Sequence, residues 1–208
     1  MRDELRAGVA IYNAGEYHAA HDAWEDYWLD LDAGTDDERL LHGLIQFTAA
    51  MHHARNCNWT GLSGLVECAR EYLDGLPADY RGIDLATVRA YLDALHEDPE
   101  YVERVAPPAL THEGEALALS DLDFPAAAIA AAVFAEEKPG FEEEVVEQAV
   151  EYAHADFEAE EATSQFVALV MDFARDEANR GIVYQRLTQH VDRRASRERD
   201  VEGLFDVE

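Results

Sequence analysis

The segment that organises this chain is residues 17–28, which read YHAAHDAWEDYW. It contains two of the three tryptophans and two of the nine histidines in the chain. On a helix that turns by about 100° per residue, five of its side chains fall within about 80–100° of one another: Tyr17, His21, Trp24, Glu25 and Trp28. Large aromatic side chains turn such a face inward, so the His21 and Glu25 side chains on it need polar partners. The segment therefore predicts a buried helix with polar chemistry on its inner face.

Composition narrows the class of protein. The chain has 208 residues, of which 48% are hydrophobic, enough for one large domain or two small ones. Its formal net charge is −29, from 16 basic and 45 acidic residues, and Lys138 is its one lysine. This composition favours a halophilic source, because in molar salt a Debye length of about 3 Å screens self-repulsion, and the alternative is an acidic mesophilic protein. The same charge argues against nucleic acid and anionic membranes as partners, because both are bound through positive potential.

The N-terminus opens directly into a polar helix, and no apolar run approaches the roughly 18 residues of a membrane span. We therefore expect a cytoplasmic protein that does not bind membranes. Cys57 and Cys68 match no metal-ligand spacing, so we expect two buried thiols in a reducing compartment.

Apolar spacing and helix-breaking residues predict an all-α fold. Thr35 and Asp84 are expected to cap helices through their side-chain oxygens. No segment alternates as a strand does, so no sheet is predicted. We predict a helical bundle over residues 1–96, a Pro-rich connector over 97–114 and a second helical module over 115–208 that packs on the bundle. Helices are predicted at about residues 3–14, 16–31, 36–55, 60–74, 85–96, 125–134, 141–158, 163–179 and 181–199.

Four blocks in a fixed order resemble a known family. They are Asn13-Ala14-Gly15-Glu16-Tyr17, Ala20-His21-Asp22-x-Trp24-Glu25-x-x-Trp28, Leu41-x-Gly43-Leu44-Ile45-Gln46, and His53 followed by Asn58-x-x-Gly61. Over residues 11–95 the chain is similar to the family called domain of unknown function 309. The resemblance implies an all-helical bundle and brings no established activity. The chain departs from the family at His18, Asp22 and Cys57, where an aromatic residue, Glu and Gly are commoner, and the resemblance does not reach residues 115–208.

A polar pocket is the candidate site. His21 and Glu25 are four residues apart, so on a helix they can hydrogen-bond or ligate one metal ion together. A second polar stripe follows on the next predicted helix, where His42, Gln46 and His53 lie within about 60° of one another. If the two helices pack, imidazoles and a carboxylate converge as ligands for a divalent transition metal, with His21, Glu25 and His53 as the predicted set. The whole predicted pocket comprises His21, Asp22, Trp24, Glu25, Trp28, Gln46, His53 and Asn58.

Other interpretations of the pocket stay open at this point. In a purely structural network, Glu25 accepts hydrogen bonds from His21 and from an indole N–H, and Gln46 and His53 complete the bonding. The leading functional hypothesis is an uncharacterised cytoplasmic protein that binds a metal or a small polar ligand. A metal-dependent hydrolase with Glu25 or Asp22 as base is the second, although the His-Glu-x-x-His motif of metalloproteases is absent. The third is an assembly module that docks a protein partner or a second copy of the chain.

Five arginines near the C-terminus stand out in a chain poor in positive charge: Arg186, Arg193, Arg194, Arg197 and Arg199. One interpretation is a contact with an anion or with RNA. The other is a structural role, in which they complement the helix dipole and pair with the acidic faces of residues 142–161.

Overall fold

The computed structural model describes residues 1–161 and 163–205, with side chains up to residue 200. It confirms the all-α class. The helices are α1 (Arg2–Asn13), α2 (Tyr17–Leu29), α3 (Asp36–Arg55), α4 (Trp59–Leu73), α5 (Leu85–Glu97), α6 (Tyr101–Arg104), α7 (Phe124–Glu137), α8 (Glu143–Glu158), α9 (Gln165–Arg175) and α10 (Arg180–Phe205). Two short strands, β1 (Asp79–Tyr80) and β2 (Ile83–Asp84), pair antiparallel between α4 and α5. Within the described part of the chain, no helix has both the length and the apolar character that a membrane crossing requires.

The chain divides into two compact units, residues 1–122 and 123–208. The Pro-rich segment 97–114 lies within the first unit. The sequence-based division into 1–96, 97–114 and 115–208 stays a prediction.

In the first unit, consecutive helices from α1 to α5 pack against one another. Glycines allow the closest approaches. Gly8 lies under Trp24, and a Cβ atom at residue 8 would be 2.1 Å from the indole ring. Trp24 is fully buried, and its indole N–H donates to the carbonyl of Glu4 at 2.9 Å. The central tryptophan of α2 is therefore fixed against α1 by both shape and a hydrogen bond.

The predicted caps form at the predicted residues. The Thr35 hydroxyl oxygen accepts from the backbone N–H of Glu38 at 3.2 Å, and Asp84 Oδ1 accepts from the backbone N–H of Thr87 at 3.1 Å. Because each cap satisfies a backbone donor that the first helical turn leaves unpaired, α3 and α5 begin where the sequence indicates.

The small hairpin is a feature that the sequence did not predict. Its two turn residues, Arg81 and Gly82, both have positive φ values, 54° and 80°, which is the pattern of a type I′ turn. Arg81 pairs with Asp37 of α3 through two nitrogens, at 2.6 and 2.8 Å. The prediction that no strand forms was therefore wrong over residues 79–84, because a contact with α3 stabilises a turn that arginine seldom adopts.

The two cysteines also differ from expectation, since both are exposed. Cys57 lies in the loop between α3 and α4, where its φ of 55° places it in the left-handed region. Cys68 lies on an outward face of α4. The prediction of buried thiols was wrong because loop position and helix rotation, not residue type, decide their exposure.

An irregular segment, residues 105–118, runs back to the end of α1, and we call it the strap. The Asn13 side-chain amide donates to the carbonyls of Leu110 and Leu117, both at 2.9 Å, and its oxygen accepts from the Leu110 N–H at 2.9 Å. The Tyr12 hydroxyl donates to the carbonyl of Pro108 at 3.2 Å. The strap is therefore tied to α1 by side chains that satisfy its backbone groups.

In the second unit, α7, α8 and α10 all pack on α9. Arg180, at the start of α10, is buried in this unit. Its guanidinium lies 4.2 Å from the ring centroid of Phe134 and donates to the carbonyl of Phe173 at 2.9 Å. This one side chain thereby links α7, α9 and α10.

Candidate functional site

Four polar side chains lie together on α2, and we call them the α2 cluster: His18, His21, Asp22 and Glu25. His21 Nδ1 lies 2.7 Å from Asp22 Oδ1 and 3.9 Å from Glu25 Oε2. His18 Nδ1 lies 3.2 Å from the other oxygen of Asp22. The helix creates this group because residues four apart share a face, and the carboxylate of Asp22 connects the two imidazoles.

The α2 cluster contains a set of atoms that can surround one metal ion. One nitrogen of His21 and one oxygen each of Asp22 and Glu25 all lie within 4.8 Å of one another. Two ligands of a tetrahedral zinc ion, with bonds of about 2.0–2.1 Å, are about 3.3 Å apart. The distances from His21 to the two carboxylates, 2.7 and 3.9 Å, bracket that spacing. Small side-chain adjustments would therefore bring the three atoms to ligand distances.

Asp22 is held as a carboxylate. Burial acts to raise the pKa of Asp22, but the hydrogen bond from His21 and the charges of His18 and His21 outweigh it, so the pKa lies below its ordinary value. The side chain is 16% exposed. Asp22 is thus ionised at neutral pH, the form that accepts hydrogen bonds or ligates a cation.

His52 of α3, not His53, lies beside the α2 cluster. Its ring centroid is 5.4 Å from that of His18, in an edge-to-face arrangement. Burial, followed by the positive charges of His18, His53 and Arg55, lowers the pKa of His52 below its ordinary value. The side-chain amide of Asn56 lies 3.0 Å from His52 Nε2 and can donate to it. His52 is therefore a neutral imidazole near neutral pH.

His53 belongs to a different arrangement, at the loop between α3 and α4. Asn58 Oδ1 accepts from the backbone N–H of Gly61 at 3.0 Å, which directs the Asn58 amide group to His53 Nδ1 at 2.7 Å. A Cβ atom at residue 61 would lie 2.8 Å from both side chains. Among the described residues, His53 is not in the group of possible ligand atoms around His21. The geometry assigns His53, Asn58 and Gly61 to closure of the loop, and it favours Asp22 in place of His53 beside His21 and Glu25.

The remaining predicted pocket residues lie elsewhere on the two helices. The Trp28 indole N–H donates to Glu38 Oε1 at 3.0 Å, and His42 Nδ1 lies 3.2 Å from the same oxygen. The His42 ring lies between Trp28, at 4.5 Å, and Tyr72, at 3.7 Å. Gln46 is half-buried on α3.

The hydrogen bonds donated by the two indole N–H groups differ from those of the expected network. Neither Trp24 nor Trp28 donates to Glu25, because Trp24 reaches the carbonyl of Glu4 and Trp28 reaches Glu38. Glu38, at the start of α3, accepts the hydrogen bond from Trp28 at the end of α2. The carboxylate of Glu25 therefore lies near His21 without an indole donor. The residues that the sequence presented as one pocket therefore fall into three groups: the α2 cluster, the set around Glu38, and the loop of His53 and Asn58. Trp24 belongs to none of them, because it bonds α1.

Two residues of this region, His18 and His52, were not among the predicted pocket residues. The spacing of His18 and Asp22, four residues apart, was a usable signal for including His18. For His52 no such signal exists, because adjacent residues on a helix point about 100° apart and the sequence does not specify how α3 is rotated against α2.

Part of the first unit is similar in sequence to known proteins. Residues 5–65 match the family described as domain of unknown function 309. A stretch of 89 residues, 43% of this chain, is 29% identical to an uncharacterized protein of Aquifex aeolicus (strain VF5). That stretch is 26% of the relative's length, so the chain spans about a quarter of that protein. The family match runs from α1 into α4 and includes the α2 cluster and the loop of His53 and Asn58, and neither description states an activity.

Proposed function

We propose that the protein binds a divalent transition metal ion through His21, Asp22 and Glu25. The observation that carries the proposal is the convergence of one imidazole nitrogen and two carboxylate oxygens within 4.8 Å. Mixed nitrogen and oxygen ligands suit zinc, iron, nickel or manganese. This set keeps two of the three metal ligands expected from the sequence and replaces His53 by Asp22.

The surroundings of the three ligands support binding. Asp22 offers one oxygen to the ion while His18 holds the other, which is how groups beyond the ligands orient a metal-binding carboxylate. Exposed fractions of 26% for His21 and 43% for Glu25 leave the group open to an ion from solvent. Asp22 is already ionised, so the one proton that must move when an ion binds is the one shared by His21 Nδ1 and Asp22, which has to leave that nitrogen.

Three protein ligands leave a coordination position for water or for a small polar ligand, which is the arrangement of catalytic zinc sites. The hydrolase hypothesis is therefore tested after metal binding, by turnover of a panel of phosphate and carboxylate esters. Both carboxylates that the sequence offered as a base, Glu25 and Asp22, are ligands in this set, so in the hydrolase hypothesis the metal ion itself would activate the attacking water.

The decisive experiment measures metal content and affinity. The full chain is purified in molar KCl without chelators or a His tag and analysed for bound metals, and the metal-free protein is then titrated calorimetrically with zinc, nickel and manganese. We expect about one ion per chain, and at least tenfold weaker binding by His21→Ala, Asp22→Asn and Glu25→Gln. Asp26→Asn and His96→Ala are matched controls, because both residues are exposed and lie outside the cluster.

His53→Ala separates the two possible ligand sets. If the α2 cluster is the site, this variant keeps its affinity for the metal while losing stability at the loop. Absence of binding in the folded wild type, equal binding by the three cluster variants, or equal losses in the controls would overturn the proposal. Circular dichroism confirms that each variant is folded.

A further inference from the structure

The second unit contains a cavity of about 820 Å³ beside α10. Its lining includes Asp156 of α8, Glu161 and Phe166 from the loop and the start of α9, and His190, Arg193, Arg194, Arg197 and Glu198 of α10. None of these residues belongs to the α2 cluster, and the resemblance to a known family covers none of them. Three of the five arginines that stand out in the sequence therefore face one cavity.

Arg194 has a structural role in the floor of this cavity. It donates to the buried carboxylate of Asp156 at 2.7 Å and to Glu198 at 3.3 Å, and its guanidinium lies 4.3 Å from the ring centroid of Tyr152. Asp156 also accepts from the Ser164 hydroxyl at 2.7 Å. Arg194 is thus the one of these arginines for which the predicted pairing with the acidic face of residues 142–161 is observed.

Arg193 and Arg197 are arranged differently. Among the described residues neither has a carboxylate within ion-pair distance, although the chain carries 45 acidic residues against 16 basic ones. They are four residues apart on α10, so their guanidinium groups are neighbours on the helix surface. Like charges at this spacing destabilise a helix, whereas an anion between them would be held by both.

We propose that this cavity binds a small organic phosphate, with its phosphoryl group held by Arg193 and Arg197 and assisted by His190. The planar guanidinium matches phosphate oxygens in paired hydrogen bonds, so two such groups select a phosphoryl group with two negative charges. The volume falls within the roughly 300–1,000 Å³ of small-molecule sites. The carboxylate of Glu161, which also lines the cavity, would accept hydrogen bonds from a ligand whose other end carries hydroxyl groups, as a sugar phosphate does.

The net charge of −29 decides between a small ligand and a polymer. An RNA strand carries charge far beyond the cavity and would be repelled by the acidic surface around it. A small dianion contacts only the groups that line the cavity, whereas a polymer would extend over the acidic surface beyond it.

Calorimetric titration of the full chain with ribose 5-phosphate tests the proposal, with ribose as the uncharged comparison. Arg193→Gln/Arg197→Gln removes both guanidinium groups from the cavity. Arg186→Gln makes the same change at an exposed position on α10 that does not line it. We expect saturable binding of ribose 5-phosphate and no binding of ribose, with an affinity that falls as the KCl concentration is raised. The affinity should be at least a hundredfold weaker in the double variant and unchanged in Arg186→Gln.

Three results would overturn the proposal: no binding of ribose 5-phosphate up to millimolar concentration by the folded chain, equal binding by the double variant, or an equal loss in Arg186→Gln. Tighter binding of a single-stranded RNA oligomer than of the sugar phosphate would overturn the small-ligand class. Because the changes lie in residues 123–208, metal binding at His21 is measured in the same variants and is expected to be unaffected, so the two proposals fail independently.

Discussion

Replacement of Gly8 by alanine sets two physical effects against each other. Gly8 lies inside α1, where alanine is favoured over glycine by about 0.8–1.0 kcal/mol through helix propensity. The added Cβ, however, would lie 2.1 Å from Cε2 and 2.2 Å from Nε1 of Trp24. Ordinary van der Waals contact begins near 3.4 Å, so the buried indole or the helix must move by more than about 1 Å.

The balance favours destabilisation. Forcing a methyl group into a packed core costs about 1–3 kcal/mol. A shift of this size also breaks the indole hydrogen bond to the carbonyl of Glu4, now 2.9 Å long, which contributes about 1 kcal/mol. After subtraction of the propensity gain, we expect Gly8→Ala to lower the free energy of unfolding of the first unit by about 1–3 kcal/mol.

Tryptophan fluorescence during urea unfolding measures this change. The three tryptophans, Trp24, Trp28 and Trp59, all lie in the first unit, so the signal reports on that unit. Gly64→Ala is the matched control, because Gly64 is exposed inside α4 with open space around its Cβ position. It should gain up to about 1 kcal/mol. A Gly8→Ala protein as stable as the wild type, measured beside a stabilised Gly64→Ala, would refute the close packing of α1 on α2.

Three further predictions concern the same unit. Gly43→Ala is expected to lose about 1–3 kcal/mol, because its Cβ would lie 2.5 Å from Leu73, and a gain in urea stability would contradict that contact. Asn58→Ala should cost about 1–2 kcal/mol and Asn58→Asp much less, because only the latter keeps the cap on α4, and thermal unfolding of the pair measures the difference. The metal-free Asp22→Asn variant should be less stable than the wild type at pH 7, and its free energy of unfolding should fall less steeply as the pH is lowered. The pKa of Asp22 lies below its ordinary value of 3.8, so its stabilising contribution is fully present above that pH and is lost as the pH falls through the folded-state pKa. If the free energy of unfolding falls by the same amount from pH 7 to pH 3 in the variant and the wild type, the contribution assigned to Asp22 is wrong.

Local chemistry explains why most helix ends could be predicted. Thr35 and Asp84 cap helices with their own side chains, so their role depends on residues within one turn of the chain. The hairpin at residues 79–84 could not be predicted in the same way. Arg81 adopts a positive φ because its guanidinium reaches Asp37, 44 residues earlier in the chain.

The candidate site shows the same division. His21, Asp22 and Glu25 share α2, so helical spacing alone brings them together. Contributions from α3 depend on how that helix is rotated and shifted against α2, which spacing within one helix does not determine. For that reason the sequence favoured His53 at the position where the structure has His52. It also predicted that an indole N–H donates to Glu25, whereas the Trp28 indole donates to Glu38.

The strap affects the order in which the first unit folds during synthesis. Asn13 is synthesised well before its partners, because its side chain bonds backbone groups 97 and 104 residues further along the chain. Because synthesis delivers the N-terminal residues first, α1 to α4 can associate while Tyr12 and Asn13 still have only water as their polar partner. Contacts of this length also carry the larger loop-closure entropy and form late. The nascent chain therefore leaves the side chains at the end of α1 without their strap partners until residue 117 has been released, so a late segment of the first unit completes the packing that its first helix begins.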